Sequence, residues 1–189
     1  FRRSVISCLS TQRRFLSMKS FEHNINIHLT KKEEDLFQFL RNAVNSSNTN
    51  TTMRVAGGWV RDKLMGLSAE DIDISLDNMN GAQFGEILIK AEGKNRKNAV
   101  GVINQRPELG KFVETATVHI KGFSLDLLSL RSQVQLGEKL RNSTDATLIS
   151  QAAEDAHLRD FTINSLFYNI NRACVEDYTG GLEDLKNRI

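Results

Sequence analysis

Apolar positions recur with helical spacing in KKEEDLFQFLRNAV, where Leu36, Phe39, Leu40, Ala43 and Val44 share one face. Thr30 followed three residues later by Glu33 makes a capping box, so a packing helix starts after Thr30. Asn24 to Leu29 reads as a short strand ahead of it, and the polar run SSNTNTT as the loop after it. Residues 54–56 form an apolar strand that breaks at Gly57-Gly58 into a helix from near Trp59 to Gly66. A strand carrying Asp71 and Asp73 follows. Asn80 caps a further helix whose buried stripe is Phe84, Ile87, Leu88 and Ala91. Ala99 to Ile103 is apolar enough for a strand, and KFVETATVHI and FSLDLLSL flank a Lys121-Gly122 hairpin turn. That turn pairs Ile120 with Phe123 and Thr117 with Asp126. Residues 131–148 are polar and irregular, and AAEDAHLRDFTINSLFYNI has helical character.

The chemistry concentrates between Arg54 and Leu76. A strand breaking through two glycines into a helix leaves backbone N–H groups free where the helix dipole favours a phosphate. Arg61 and Asp62 sit on the first turn of that helix. Side chains alternate along a strand, so Asp71 and Asp73 point to one face and Ile72 and Ile74 to the other. Two carboxylates side by side repel unless protonated or joined by a cation, and Mg²⁺ takes a few carboxylate oxygens while leaving positions for water and phosphates. Taken singly, the glycine pair also reads as a plain turn and the aspartates as solvated strand-end groups. The ordered combination GG-x-x-RD followed by DID points to phosphoryl or nucleotidyl transfer.

Other candidates carry two readings each. Trp59 can stack on a base or fill the core. Lys94, Arg96 and Lys97 can touch RNA or form a solvated basic turn. His23 and His28 have no acidic or cysteine partner at metal spacing and read as surface residues.

GGWVRDKLMG followed by DIDISL resembles the first motif of the class II tRNA nucleotidyltransferases (the CCA-adding enzymes) and bacterial poly(A) polymerases, in the polymerase β superfamily. VETATVHI followed by LDLLSLR is similar to the family's next strands. Leu158 to Asn164, LRDFTIN, resembles its second motif, with Leu158 where the family has the first of two arginines. The resemblance covers nearly all of residues 50–189 and implies an α/β head domain: a mixed sheet of about five strands with helices packed on it. It implies CCA addition, the transfer of CMP and AMP from CTP and ATP to the tRNA 3′ end by a two-metal mechanism. Poly(A) polymerase, partial CC- or A-adding activity, and a catalytically silent nucleotide- or RNA-binding module are the alternatives.

By the same resemblance, Asp71 and Asp73 hold Mg²⁺, and Asp126 completes the acidic cluster on a neighbouring strand, with Glu114 a weaker candidate. Asp126 also reads as an acid hydrogen-bonded to Arg131 or to a backbone donor. Gly57, Gly58 and Arg61 hold the triphosphate, and Arg159, Asp160 and Asn164 hold the nucleotide and its sugar. The other reading of Arg159-Asp160 is an intrahelical ion pair. Family chains continue into neck, body and tail domains and carry a base-reading Glu-Asp-x-x-Arg motif after the head. The head domain is expected at residues 22–189, and no such motif lies between the second motif and Ile189, so the 189 residues alone are expected to bind nucleotide weakly and not to build an ordered CCA end.

Composition narrows the setting. The 189 residues are 40% hydrophobic and 25% charged, as in a soluble globular domain, and no apolar run is long enough to cross a bilayer. Two distant cysteines, Cys8 and Cys174, do not suggest a disulfide framework. The net charge of +2 conceals an asymmetry, because residues 1–21 hold five bases and no acid, leaving 20 bases (25 − 5) against 23 acids. The folded part is thus no strongly basic nucleic-acid binder, and no protein partner is implied. The arginine- and serine-rich first 21 residues, with Val5, Ile6 and Leu9 at helical spacing, have the features of a mitochondrial transit peptide or of a disordered basic tail. Met18 as an internal start would supply a cytosolic or nuclear form.

Overall fold

The structure, a computed structural model, describes residues 21–23, 25, 27–69, 71–93, 100–103, 115–131 and 151–189. The basic stretch up to residue 20, Lys94, Arg96, Lys97 and Glu114 lie outside the described residues, as does most of the irregular stretch after Arg131.

Thr30 caps α1 (Lys31–Ser47) with the capping box expected from Glu33. Its buried stripe is Leu36, Phe37, Leu40, Ala43 and Val44, so Phe37 takes the inner place and Phe39 only flanks the core. The glycine turn leads into α2 (Gly58–Leu64), and Asn80 caps α3 (Gly81–Ala91). Helix α4 (Gln151–His157) and α5 (Gly181–Asn187) complete the helices among the described residues.

The strands are β1 (Phe21–His23), β2 (Met53–Ala56), β3 (Ile72–Leu76), β4 (Val100–Ile103), β5 (Thr115–Ile120), β6 (Phe123–Ser129), β7 (Phe167–Asn169) and β8 (Cys174–Asp177). They form one mixed sheet in the order β1-β8-β7-β2-β3-β6-β5-β4, eight strands where about five were expected. The β3–β6 pairing is parallel and every other pairing is antiparallel. The predicted hairpin forms, with Ile120 opposite Phe123 and Thr117 opposite Asp126.

Two sequence expectations give way to packing. Residues 25 and 27–29 have no regular structure, and the N-terminal strand lies at Phe21–His23 instead. The helix expected through residue 170 stops at His157; a 3₁₀ turn spans Thr162–Asn164 and the apolar run becomes β7. A helix has one buried face, whereas Phe167, Tyr168 and Asn169 are all buried, and a strand between β2 and β8 hides both its faces.

One sheet face carries Met53, Val55, Ile72, Ile74, Leu125, Leu127 and Val118 against α1 and α3, each at most 1% exposed. Burying such side chains stabilises the fold by roughly 1.5–3 kcal/mol each. Phe37, Trp59 and Tyr168 meet there with ring centroids 5.8–5.9 Å apart. Trp59 is therefore core, not a stacking platform, and its indole donates to Glu33. On the opposite face α4 packs its alanines against Ala56, Phe167, Tyr178 and Leu130.

Candidate active site

Strand register assembles the site. Across adjacent strands Phe167 pairs with Ala56, Ala56 with Asp73, Asp73 with Asp126, and Asp126 with Thr117. Register partners point to the same face of a sheet, so two carboxylates stand side by side in one row across five strands. Asp71 lies one residue before β3 and is exposed. Two residues further along β2, Arg54, Asn169, Glu176 and Tyr178 form a hydrogen-bonded network, with Arg54 Nε 2.6 Å from Glu176 Oε2. That network pins β2, β7 and β8 beneath the row.

Ala56 runs directly into Gly57, whose φ of 74° and ψ of −137° are open to glycine and strained for other residues. The turn thus opens beside Asp73, and no side chain caps α2. Arg61 folds back over it: its Nη2 is 3.4 Å from where a Cβ on Gly58 would stand. The same guanidinium donates from Nη1 to Asn164 Oδ1 at 2.7 Å and from Nε to Asp62 at 2.8 Å. The two motifs therefore meet through an Arg61–Asn164 bond.

Arg159 covers the other side of the turn. Its Nη1 lies 3.6 Å from a Cβ placed on Gly57, and the guanidinium sits 5.1 Å over the Phe167 ring. Its acidic partner is Asp155, four residues earlier, and not Asp160. Asp160 is exposed and accepts from the Phe161 N–H. Leu158 is half-buried after the last turn of α4.

Burial pushes the Asp73 carboxyl above its ordinary range, the charges of Asp126 and Asp71 push it further, and Arg159 opposes them. Asp126 Oδ1 accepts from Thr117 Oγ1 at 2.7 Å, and Arg131 is bonded elsewhere, to Asp155. Among the described residues no three His, Cys, Asp or Glu side chains could hold a metal unaided. Three neighbouring carboxylates, with Asp73 and Asp126 half-buried and the charges of Asp126 and Asp71 both acting on Asp73, nonetheless fit a divalent cation whose remaining positions go to water and phosphate oxygens. An open, mainly apolar groove of about 1010 Å³ lies on the far side of Arg61, between α2 and α5, and includes none of these carboxylates.

Two residues of the site were not singled out from sequence. The hairpin register pairs Thr117 with Asp126 but assigns it no role, and Asp155 lies in a stretch that reads only as helical. An acid one helical turn before Arg159 in an alanine-rich stretch is the signal that marks it.

The model of the poly A polymerase head domain family matches residues 53–189. A tRNA nucleotidyltransferase of Schizosaccharomyces pombe is 35% identical over 178 residues, covering 91% of this chain and 35% of its own length. A mitochondrial CCA tRNA nucleotidyltransferase of Saccharomyces cerevisiae is 34% identical over 209 residues, covering 99% of this chain and 37% of its own. The structure of the Thermotoga maritima CCA-adding enzyme complexed with tRNA superposes with a TM-score of 0.57 at 26% identity, over 84% of this chain and 32% of that one. This chain spans about a third of the length of the curated relatives it matches.

Proposed function

Because the chain belongs to the poly A polymerase head domain family, we propose that it is the catalytic head of a tRNA nucleotidyltransferase, adding CMP and AMP from CTP and ATP to the tRNA 3′ end. The observation that carries the reading is the Asp73–Asp126 pair set beside the Gly57 turn and under Arg159. Mg²⁺ held by Asp71 and Asp73, with Asp126 beside them, would neutralise triphosphate charge and lower the pKa of the attacking hydroxyl.

The chain's own groups do the rest. The uncapped N-terminus of α2 and Arg61 Nη2, which makes no hydrogen bond among the described residues, receive the triphosphate. Arg159 keeps N–H groups beyond those bonded to Asp155 and the Asn164 carbonyl, enough to donate to a sugar or phosphate oxygen. Asn164, held by Arg61, and the exposed Asp160 line the sugar side. Asp126, with one oxygen engaged by Thr117, is the base at hand for the proton of the RNA 3′-hydroxyl as pyrophosphate leaves.

The test is incubation of the full-length protein and Mg²⁺ with tRNA lacking its CCA end, supplying CTP, ATP or both. An ordered CCA end supports the reading. A long adenosine tail indicates the poly(A) polymerase that the family also contains, and a partial end indicates CC or A addition. No incorporation indicates the silent module, for which Leu158 in place of an arginine is the reason.

The basic leader and the mitochondrial relative in S. cerevisiae support a mitochondrial location, with Met18 as the start of a cytosolic or nuclear form. Failure of a residue 1–25 fusion to enter isolated mitochondria would remove the first of these supports.

A further inference from the structure

Asp155 is 0% exposed and engages two arginines. Its Oδ1 accepts from the Arg131 backbone N–H at 3.1 Å and from Arg131 Nε at 2.7 Å. Its Oδ2 accepts from Arg159 Nε at 2.9 Å and Nη2 at 2.8 Å. Arg131 follows β6, the strand of Asp126, whereas Arg159 follows α4. One carboxylate thus ties the acidic strand to the segment that covers the glycine turn. A buried carboxylate is tolerated only when its charge and lone pairs are met, and here both oxygens are.

The pairing also decides which edge of Arg159 is on offer. Asp155 takes the Nε and Nη2 edge, which turns Nη1 toward Gly57 with the Phe167 ring beneath the guanidinium. Arg159 already attracts the charge of Asp73.

We infer that Asp155 is a positioning residue, which holds Arg159 facing the nucleotide, and the inference rests on the reading of Arg159 as a nucleotide contact. A long side chain held in place by the protein need not be ordered by each nucleotide that binds.

The test measures the affinity of the full-length protein for ATP with Mg²⁺, together with its melting midpoint. Asp155→Asn is expected to weaken ATP binding about tenfold, the order of one immobilised rotamer-rich side chain. Arg159→Ala is expected to weaken it at least as much, and the double variant no further, because the first residue acts through the second. Arg159→Lys, which keeps the charge but cannot present a fork to Asp155, is expected to bind as poorly as Arg159→Ala. A purely structural role would lower the melting midpoint of Asp155→Asn without changing affinity, or make the two effects add, and either result overturns the inference. Should Asp155→Asn fail to fold, wild-type affinity in Arg159→Lys overturns it equally. If Arg159→Ala itself binds normally, the nucleotide reading of Arg159 has failed and the inference falls with it.

Discussion

Asp73 and Asp126 are direct register partners on the parallel strands β3 and β6, so their carboxyl groups leave the same face of the sheet one strand apart. Burial and then Asp126 raise the Asp73 pKa above its ordinary 3.8. A carboxyl raised in the folded state favours folding only while protonated, so its contribution is lost as pH rises through the folded value. Asp73→Asn is therefore expected to raise the metal-free melting midpoint at neutral pH, by on the order of one to three degrees. It is also expected to abolish nucleotide transfer. Asp71→Ala is likewise expected to end transfer with the fold intact. Substantial transfer by both variants would sink the metal assignment.

Glu33 shows the opposite sign. It accepts from Lys63 at 2.7 Å, from Trp59 at 3.3 Å and from the Thr30 N–H at 2.7 Å, joining the start of α1 to α2. Burial pushes its carboxyl up, but Lys63 and Thr30 outweigh that and leave it below the ordinary 4.5. Its stabilisation is present above about pH 4.5 and lost as pH falls through the folded value. Urea titrations across pH should show wild type more stable than Glu33→Gln at pH 6, with the gap closing toward pH 3. Lys63→Met, which leaves the acid buried, should cost about 3 kcal/mol at pH 7.

The backbone at Gly57 gives a comparison within one turn. Alanine there meets a positive φ, for a cost of roughly 1–3 kcal/mol, and displaces the turn under Arg159. At Gly58 the backbone has no positive φ and the added Cβ meets only the end of the Arg61 side chain, with Nη2 3.4 Å away. Gly57→Ala should thus lower both the melting midpoint and ATP affinity more than Gly58→Ala, and the reverse order would contradict the turn geometry.

Asp177 organises the chain's last helix. Its Oδ1 accepts from the N–H groups of Thr179, Gly180 and Gly181, and its Oδ2 from that of Leu182. Asp177→Ala leaves those donors without their acceptor and should cost about 2–4 kcal/mol by urea denaturation. Asp177→Asn, which keeps one oxygen for the Oδ1 donors, should cost clearly less.

Local rules made much of this legible. The capping boxes of α1 and α3 are contacts between residues three apart, and the hairpin register follows from a two-residue turn. Those rules failed where a partner is distant in sequence. LFYNI has the spacing of a buried helix segment until β2 and β8 are present to flank it. Arg159 had a neighbouring acid in Asp160, yet the acid inside the protein is Asp155, and burial, not adjacency, selects the pair.

The chain by itself determined which groups are available: a glycine pair before a short helix, two aspartates at the start of a strand, and an arginine in a second motif. Spacing along a backbone of known geometry requires nothing else. Only the tertiary structure decided that β3 lies parallel to β6, bringing Asp126 beside Asp73, and that Asp155 turns Arg159 toward Gly57. Those pairings join residues 53 positions apart or depend on which carboxylate is shielded from water, and neither property is written into any local stretch of sequence.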